Sequence, residues 1–197
     1  MINQIKDDIY SFFKTAMNEK FPEVFVLDEN GFSEKIYWAK RRDVAPSKPY
    51  IILNDAIKGK INKAHETYKN EHGQTVKREN WMMVVTFAVY NACSDGDTAN
   101  AEVEATEYIE FIQDLFNSEE TFYALSKNDI IVDEKQVSNI RDLSSFEETN
   151  YSYRFEIDVT FNFDIIKDVE STEAQGIKYE INIKETDLNI KGVTENG

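Results

Sequence analysis

Residues 151–165, YSYRFEIDVTFNFDI, alternate without a break between apolar odd positions (Tyr151, Tyr153, Phe155, Ile157, Val159, Phe161, Phe163, Ile165) and polar even ones (Ser152, Arg154, Glu156, Asp158, Thr160, Asn162, Asp164). A period of two places successive side chains on opposite faces of a strand, so this segment predicts a long strand with one buried face. The aromatic side reads as the face that packs on a helix. The open question is what the polar side meets.

The rest of the chain supplies partners for such a strand. Ile5, Ile9, Phe12, Phe13 and Met17 recur at helical spacing, predicting an amphipathic helix over 3–20 that ends before Pro22. EVFVLD (23–28) reads as a short strand, with Asn30-Gly31 as a turn. Residues 29–48 read as an exposed loop with a short strand at 36–39, and PYIILNDAI (49–57) as a strand. The segment 61–92 reads as a long hairpin turning at NEHGQ (70–74), and its second arm, WMMVVTFAVYN, is apolar on both sides, as a central strand requires.

Asp95-Gly96-Asp97 is turn and cap chemistry ahead of a main helix over 98–117, where Ala101, Ala105, Tyr108, Ile109, Ile112, Leu115 and Phe116 share a face. The outer Glu102, Glu104, Glu107 and Glu110 read as solvated. A shorter helix at 119–126, an interrupted strand in DIIVDEKQVSNIRDLSSF and the long strand at 150–168 follow. Beyond Ser171 an alternating segment (Ile177, Tyr179, Ile181, Ile183) reads as a strand that pairs away from the core sheet. The fold class expected is α+β: a mostly antiparallel sheet with two main helices on one face, a long hairpin and a C-terminal extension strand. The domain expected is 1–168, followed by an arm over 169–197.

With 197 residues, 41% of them hydrophobic and 13% aromatic, the chain has the material for one domain with a core. No apolar run approaches the roughly 20 residues that span a bilayer, and the charged N-terminus lacks the apolar core of a signal peptide, so no membrane association is expected. The single Cys93 has no internal disulfide partner.

The net charge of −15 disfavours phosphate binding by the molecule as a whole, yet it is uneven. From Lys35 to Asn80 there are 11 Lys/Arg against 5 Asp/Glu, a net of +6 that leaves −21 for the remainder. Lys58, Lys60, Lys63, Lys69, Lys77 and Arg78 are the candidate basic docking surface; a solvated basic hairpin and a face that docks on an acidic neighbour, such as another copy, are both compatible with the pattern.

Catalytic signatures are absent from the sequence: no Gly-rich phosphate loop, CxxC, HExxH or nucleophile elbow occurs. His65 and His72 sit by the hairpin turn amid lysines and glutamates, without further ligands at metal-binding spacing. Nothing in YNACSDGD marks Cys93 as a reactive thiol. Glu156 and Asp158, two residues apart on one strand face, have the spacing of an acid–base pair, but no pocket-forming residues accompany them. The expectation is no catalytic residue, no metal and no cofactor.

The order of these pieces carries a resemblance. An N-terminal amphipathic helix, KPYIIL, the central WMMVVTFAVYN, a helix through AEVEATEYIEFIQDLF and then VSNIRDLSSFEETNYSYRFEIDVTFNF resemble the tail (neck) terminator proteins of tailed bacteriophages over about 1–168. The most specific part is Asn139-Ile140-Arg141-Asp142-Leu143 ahead of Tyr153, Arg154 and the alternating strand. The resemblance implies a non-enzymatic virion subunit, assembled in the bacterial cytoplasm as a ring, usually hexameric. Such a ring caps the tail tube and joins it to the head–tail connector while double-stranded DNA passes through its lumen. Arg154, Glu156, Asp158 and Asp164 then become candidates for the lumen wall or the subunit interface. The hairpin and the segment after Ser171 depart from the family core, and a contact with a tail sheath would account for them. Another ring of the same particle, such as a head–tail joining or tube-like subunit, is the alternative. A small hydrolase using Glu156 and Asp158, and a binding module adding its 177–183 strand to a partner's sheet, are the competing classes.

Overall fold

The computed structural model describes residues 2–40, 45–61, 66–92, 98–132, 136–147 and 150–168, together with the strands at 179–182 and 189–192. Two compact units are formed, Met1–His65 with Glu79–Ile165, and Glu66–Arg78 with Ile166–Gly197. The expected cap at Asp95-Gly96-Asp97, together with His65, Lys63 and Cys93, lies outside the described residues.

The larger unit is built on helices α1 (Ile2–Lys20), α2 (Thr98–Asn117) and α3 (Glu119–Ser126) and on strands β1 (Ile36–Trp38), β2 (Tyr50–Lys60), β5 (Ile130–Ile131), β6 (Arg141–Asp142) and β7 (Ser145–Glu147), with the part of β4 (Thr75–Ala92) from Glu79 onward and the part of β8 (Asn150–Asp168) up to Ile165. The sheet order is β1-β2-β4-β8-β5, with β6 and β7 also pairing with β8. β1 runs parallel to β2, whereas β2 with β4, and β5, β6 and β7 with β8, are antiparallel. This is the expected α+β architecture, with β4 in the predicted central position.

Alternate strand residues face the helices. Ile36 and Trp38, Ile51 and Leu53, Met83, Val85, Phe87 and Val89, and Ile157, Val159, Phe161, Phe163 and Ile165 join Ile9, Phe13, Met17, Ile109, Ile112 and Phe116 in one buried cluster. Phe116 of α2 lies at its centre, with ring centroids 4.9 Å from Phe87, 5.6 Å from Phe161 and 6.2 Å from Phe13. Since Phe13 of α1 also meets Phe87 at 4.8 Å, both main helices pack on the same face of the sheet. The Ser118 hydroxyl caps α3 by accepting from the Thr121 amide (3.2 Å), and Glu119 and Glu120 complement the positive end of its dipole.

One expected strand does not form. EVFVLD contributes only an isolated bridge between Leu27 and Ser33. The Phe25 amide still bonds back to the Phe21 carbonyl (3.0 Å), and Asp28 accepts from the amides of Asn30 (2.9 Å) and Phe32 (2.7 Å). The Asp28 side chain takes donors that a sheet neighbour would otherwise use, and Gly31 supplies the left-handed residue (φ +73°) that the turn needs.

The strand expected at 49–57 runs further than its sequence suggested: β4 pairs with β2 from Tyr50↔Tyr90 to Lys60↔Trp81, so beyond the hairpin turn the long second arm lies beside β2. A bulge between Asp55 and Ile57 inverts the alternation of β2. Lys58 and Lys60 thereby come to the side on which Asp55 lies, opposite Met83 and Trp81.

In the second unit, β3 (Glu66–Lys69) pairs antiparallel with Thr75–Arg78 of β4 across the predicted turn, where Gly73 has φ +74° and Asn70 Oδ1 accepts from His72 (3.0 Å) and Gln74 (2.9 Å). β9 (Tyr179–Asn182) and β10 (Asn189–Gly192) form their own two-stranded antiparallel sheet. The second of these strands gave no alternating signal beyond Asn189-Ile190-Lys191.

Candidate functional site

The face of the sheet opposite the helices carries the polar even positions of β8, and there the structure builds a connected charged lattice. β6 sets Arg141 directly across from Glu156 in the strand register. From that position its guanidinium donates to both Asp158 carboxylate oxygens (Nη1–Oδ2 2.6 Å, Nη2–Oδ1 3.1 Å) and to Glu156 Oε2 (3.3 Å). Arg154 Nε donates to the other Glu156 oxygen (3.0 Å), and the Thr86 hydroxyl on the neighbouring β4 donates to Asp158 Oδ1 (2.6 Å). Ser138 fixes the backbone beside it, its hydroxyl accepting from the Asp158 amide (2.9 Å) and its amide donating to the Asp158 carbonyl (2.8 Å).

An aromatic row borders the lattice. The Arg154 guanidinium lies 5.1 Å from the Tyr90 ring centre, Tyr90 stacks on Tyr50 at 5.0 Å, and Tyr50 meets Tyr37 at 6.0 Å. Lys48 adds a bond from its ammonium to the Ser152 hydroxyl (2.7 Å).

The electrostatics follow from this geometry. The hydrogen bond from Arg141 holds the Asp158 carboxyl below the usual carboxylate range against the opposing effect of burial, and the Thr86 bond acts in the same direction. Bonding to Asp158 reciprocally raises Arg141. Burial pushes the Tyr90 phenol up. Two guanidinium groups thus match two carboxylates whose oxygens are already engaged. Such a lattice fixes a surface pattern, since each carboxylate accepts from a guanidinium.

Arg154, Glu156 and Asp158 are therefore brought together as their shared face implied, with Asp164 further along the same strand face. Arg141, which sequence reasoning placed in a motif but not in the site, is the residue that joins them. Its signal was a lone Arg in the short segment ahead of a strand bearing alternate acids, and only the β6–β8 register turns that into a contact.

The candidate basic surface divides. Lys58 pairs with Asp55, which Lys6 also approaches at 3.4 Å, and Lys60 pairs with Glu79 at 2.8 Å. The two carboxylate side chains are only 5% and 4% exposed. Lys58 and Lys60 thus neutralise nearly buried acids, and desolvation, with Lys6 and Lys40 nearby, draws Lys58 down. Lys69, Lys77 and Arg78 lie on the β3–β4 hairpin, and His72 is exposed at its turn.

Among the described residues no group of three His, Cys, Asp or Glu side chains is placed to hold a metal ion, and no helix is long and apolar enough to cross a membrane. A family model described as phage neck terminator protein matches residues 7–186. No curated protein matches the chain.

Proposed function

This chain belongs to the phage neck terminator protein family, a structural component of the virion neck, and from that premise we propose that it assembles as a ring of six copies. The ring caps the tail tube, joins it to the head–tail connector and lets double-stranded DNA pass through its lumen. It works without catalysis, after assembly in the bacterial cytoplasm. The observation that carries this reading is the extent of the family match, which begins in α1 and runs through the whole sheet and its polar face.

The physical chemistry supports it at two points. A net charge of −15 per copy suits a passage for DNA, since a basic wall would bind phosphates and retard transit. The Arg141–Glu156–Arg154–Asp158 lattice is internally neutralised, so on a lumen wall or subunit interface it presents fixed polarity without an excess of cations. The segment 169–197 acts as an arm towards a neighbouring component, the sheath in a contractile tail. Electron microscopy of particles carrying a tagged copy tests the placement. Density for the tag at the head-proximal end of the tube is expected, and a tag absent from particles, or located in another ring, overturns it.

A further inference from the structure

On the side of the helices away from the sheet face described above, α1 and α3 border an open groove of about 440 Å³. We propose that this groove is the docking site for a basic amphipathic helix of a different protein.

Half-buried Phe12, Ala16 and Ala124 and buried Leu125 supply the apolar lining. Each helix contributes one alanine, and so small a side chain lets a third helix approach to the roughly 8–10 Å at which helices pack. Asp8 and Glu19 are the charged residues of the wall, and no Lys or Arg lines it. They lie eleven residues apart on α1, about three turns or roughly 16 Å, so negative charge sits towards both ends of the apolar stretch. Asp8 Oδ1 accepts from the Gln4 side-chain amide (3.0 Å), and neither carboxylate meets a cation among the described residues.

Charge and shape together define the occupant. A helix that lays an apolar stripe on the lining and carries a Lys or Arg at each end of that stripe, eleven residues apart, matches both features of the groove. The described helices of a second copy do not supply one. α2 and α3 contain no Lys or Arg. Of the lysines on α1, Lys6 approaches Asp55 at 3.4 Å and Lys14 donates to the Gly31 carbonyl, which leaves Lys20 by itself. The occupant is therefore a protein of different sequence, and the contact stands apart from the number of copies in the ring. The two carboxylates select the partner and set its register more than they add raw affinity.

Calorimetric titration of the full-length protein with a synthetic helix tests it. The probe is an alanine–glutamine peptide of about 18 residues that carries two lysines eleven residues apart with leucines between them at helical spacing, and the control has glutamate in place of both lysines. The lysine peptide is expected to bind at least about tenfold more tightly than the control and to gain helical circular dichroism on mixing. Asp8→Asn/Glu19→Gln should remove that difference. Thr15→Trp, at an exposed position in the groove wall, should weaken the lysine peptide at least about tenfold by occupying the groove. These variants change exposed or half-buried side chains, and circular dichroism of each alone verifies the fold. Equal binding of the two peptides, binding of neither, binding without a gain in helicity, or a lysine preference kept by the double variant overturns the proposal. A fall in the light-scattering mass of the protein on adding the lysine peptide would place a second copy in the groove and overturn it as well.

Discussion

Arg141 joins two carboxylates and lends a third residue, Arg154, its reason to be ordered, because both guanidinium groups meet on Glu156. Removing it leaves Glu156 with one cation and Asp158 with the Thr86 hydroxyl alone, in a site where the Glu156 side chain is 12% exposed. Arg141→Ala is expected to lower unfolding free energy by about 2 kcal/mol, and Arg141→Lys by somewhat less, since an ammonium cannot reproduce the bidentate contact. Urea denaturation measures both. The same residue sets a pH dependence. Asp158 is depressed chiefly by its bond from Arg141, so the unfolded chain takes up this proton at a higher pH than the folded one. The contribution to stability is complete above the ordinary Asp value of about 3.9 and is lost as pH falls through the depressed folded value. Acid titration of the unmodified chain should therefore show a stability decline below about pH 4, and Arg141→Ala should flatten that part of the curve. An unchanged acid limb would contradict the assignment. Sequence alternation identified which residues share the polar face, but a period of two carries no information about the strand next door. The partners Arg141, Thr86 and Ser138 come from other strands and a loop, which is why the lattice was not legible.

Two elements show how local geometry and burial divide the work. In β2 a single extra residue, Ala56, turns Lys58 and Lys60 to the side of Asp55 and Glu79. Lys60→Met takes this cation away from Glu79, whose side chain is 4% exposed, and a loss of about 2 kcal/mol is expected in chemical denaturation; a variant as stable as the parent would show that the pairing the bulge sets up is incidental. In α2 the decisive side chain is Phe116, 1% exposed and in ring contact with Phe12, Phe13, Phe87 and Phe161. Phe116→Ala should cost about 3–5 kcal/mol through lost burial and the cavity left behind, with the thermal midpoint falling accordingly. These elements were legible to different degrees for a physical reason. The ranges 98–117, 119–126 and 150–168 coincide with α2, α3 and β8 because long periodic burial leaves a strong trace in sequence. The segment 23–28 has the apolar content of a strand, but the carbonyl of Phe21 captures the amides of Val24 and Phe25 and the Asp28 side chain captures those of Asn30 and Phe32 just beyond it, and the β2 bulge leaves no mark in an otherwise ordinary strand.

The whole chain combines a net charge of −15, a β3–β4 hairpin that bears Lys69, Lys77 and Arg78, and a polar sheet face on which Arg141 and Arg154 pair with Glu156 and Asp158. A subunit of this kind is suited to head-to-tail closure, in which each copy uses one patch to give and another to receive. Membership of the phage neck terminator family places the chain at the neck of the virion. The alternative classes weighed on sequence, a hydrolase and a strand-donating module, make different demands: the first needs an unengaged carboxyl at Glu156 or Asp158, where the structure has an ionic lattice. The central claim is the ring, and the mass of the purified protein in solution tests it most directly. Multi-angle light scattering during size-exclusion chromatography should give six copies of a 22.9 kDa chain, about 137 kDa. A peak that remains at 22.9 kDa at the highest attainable concentration would contradict it.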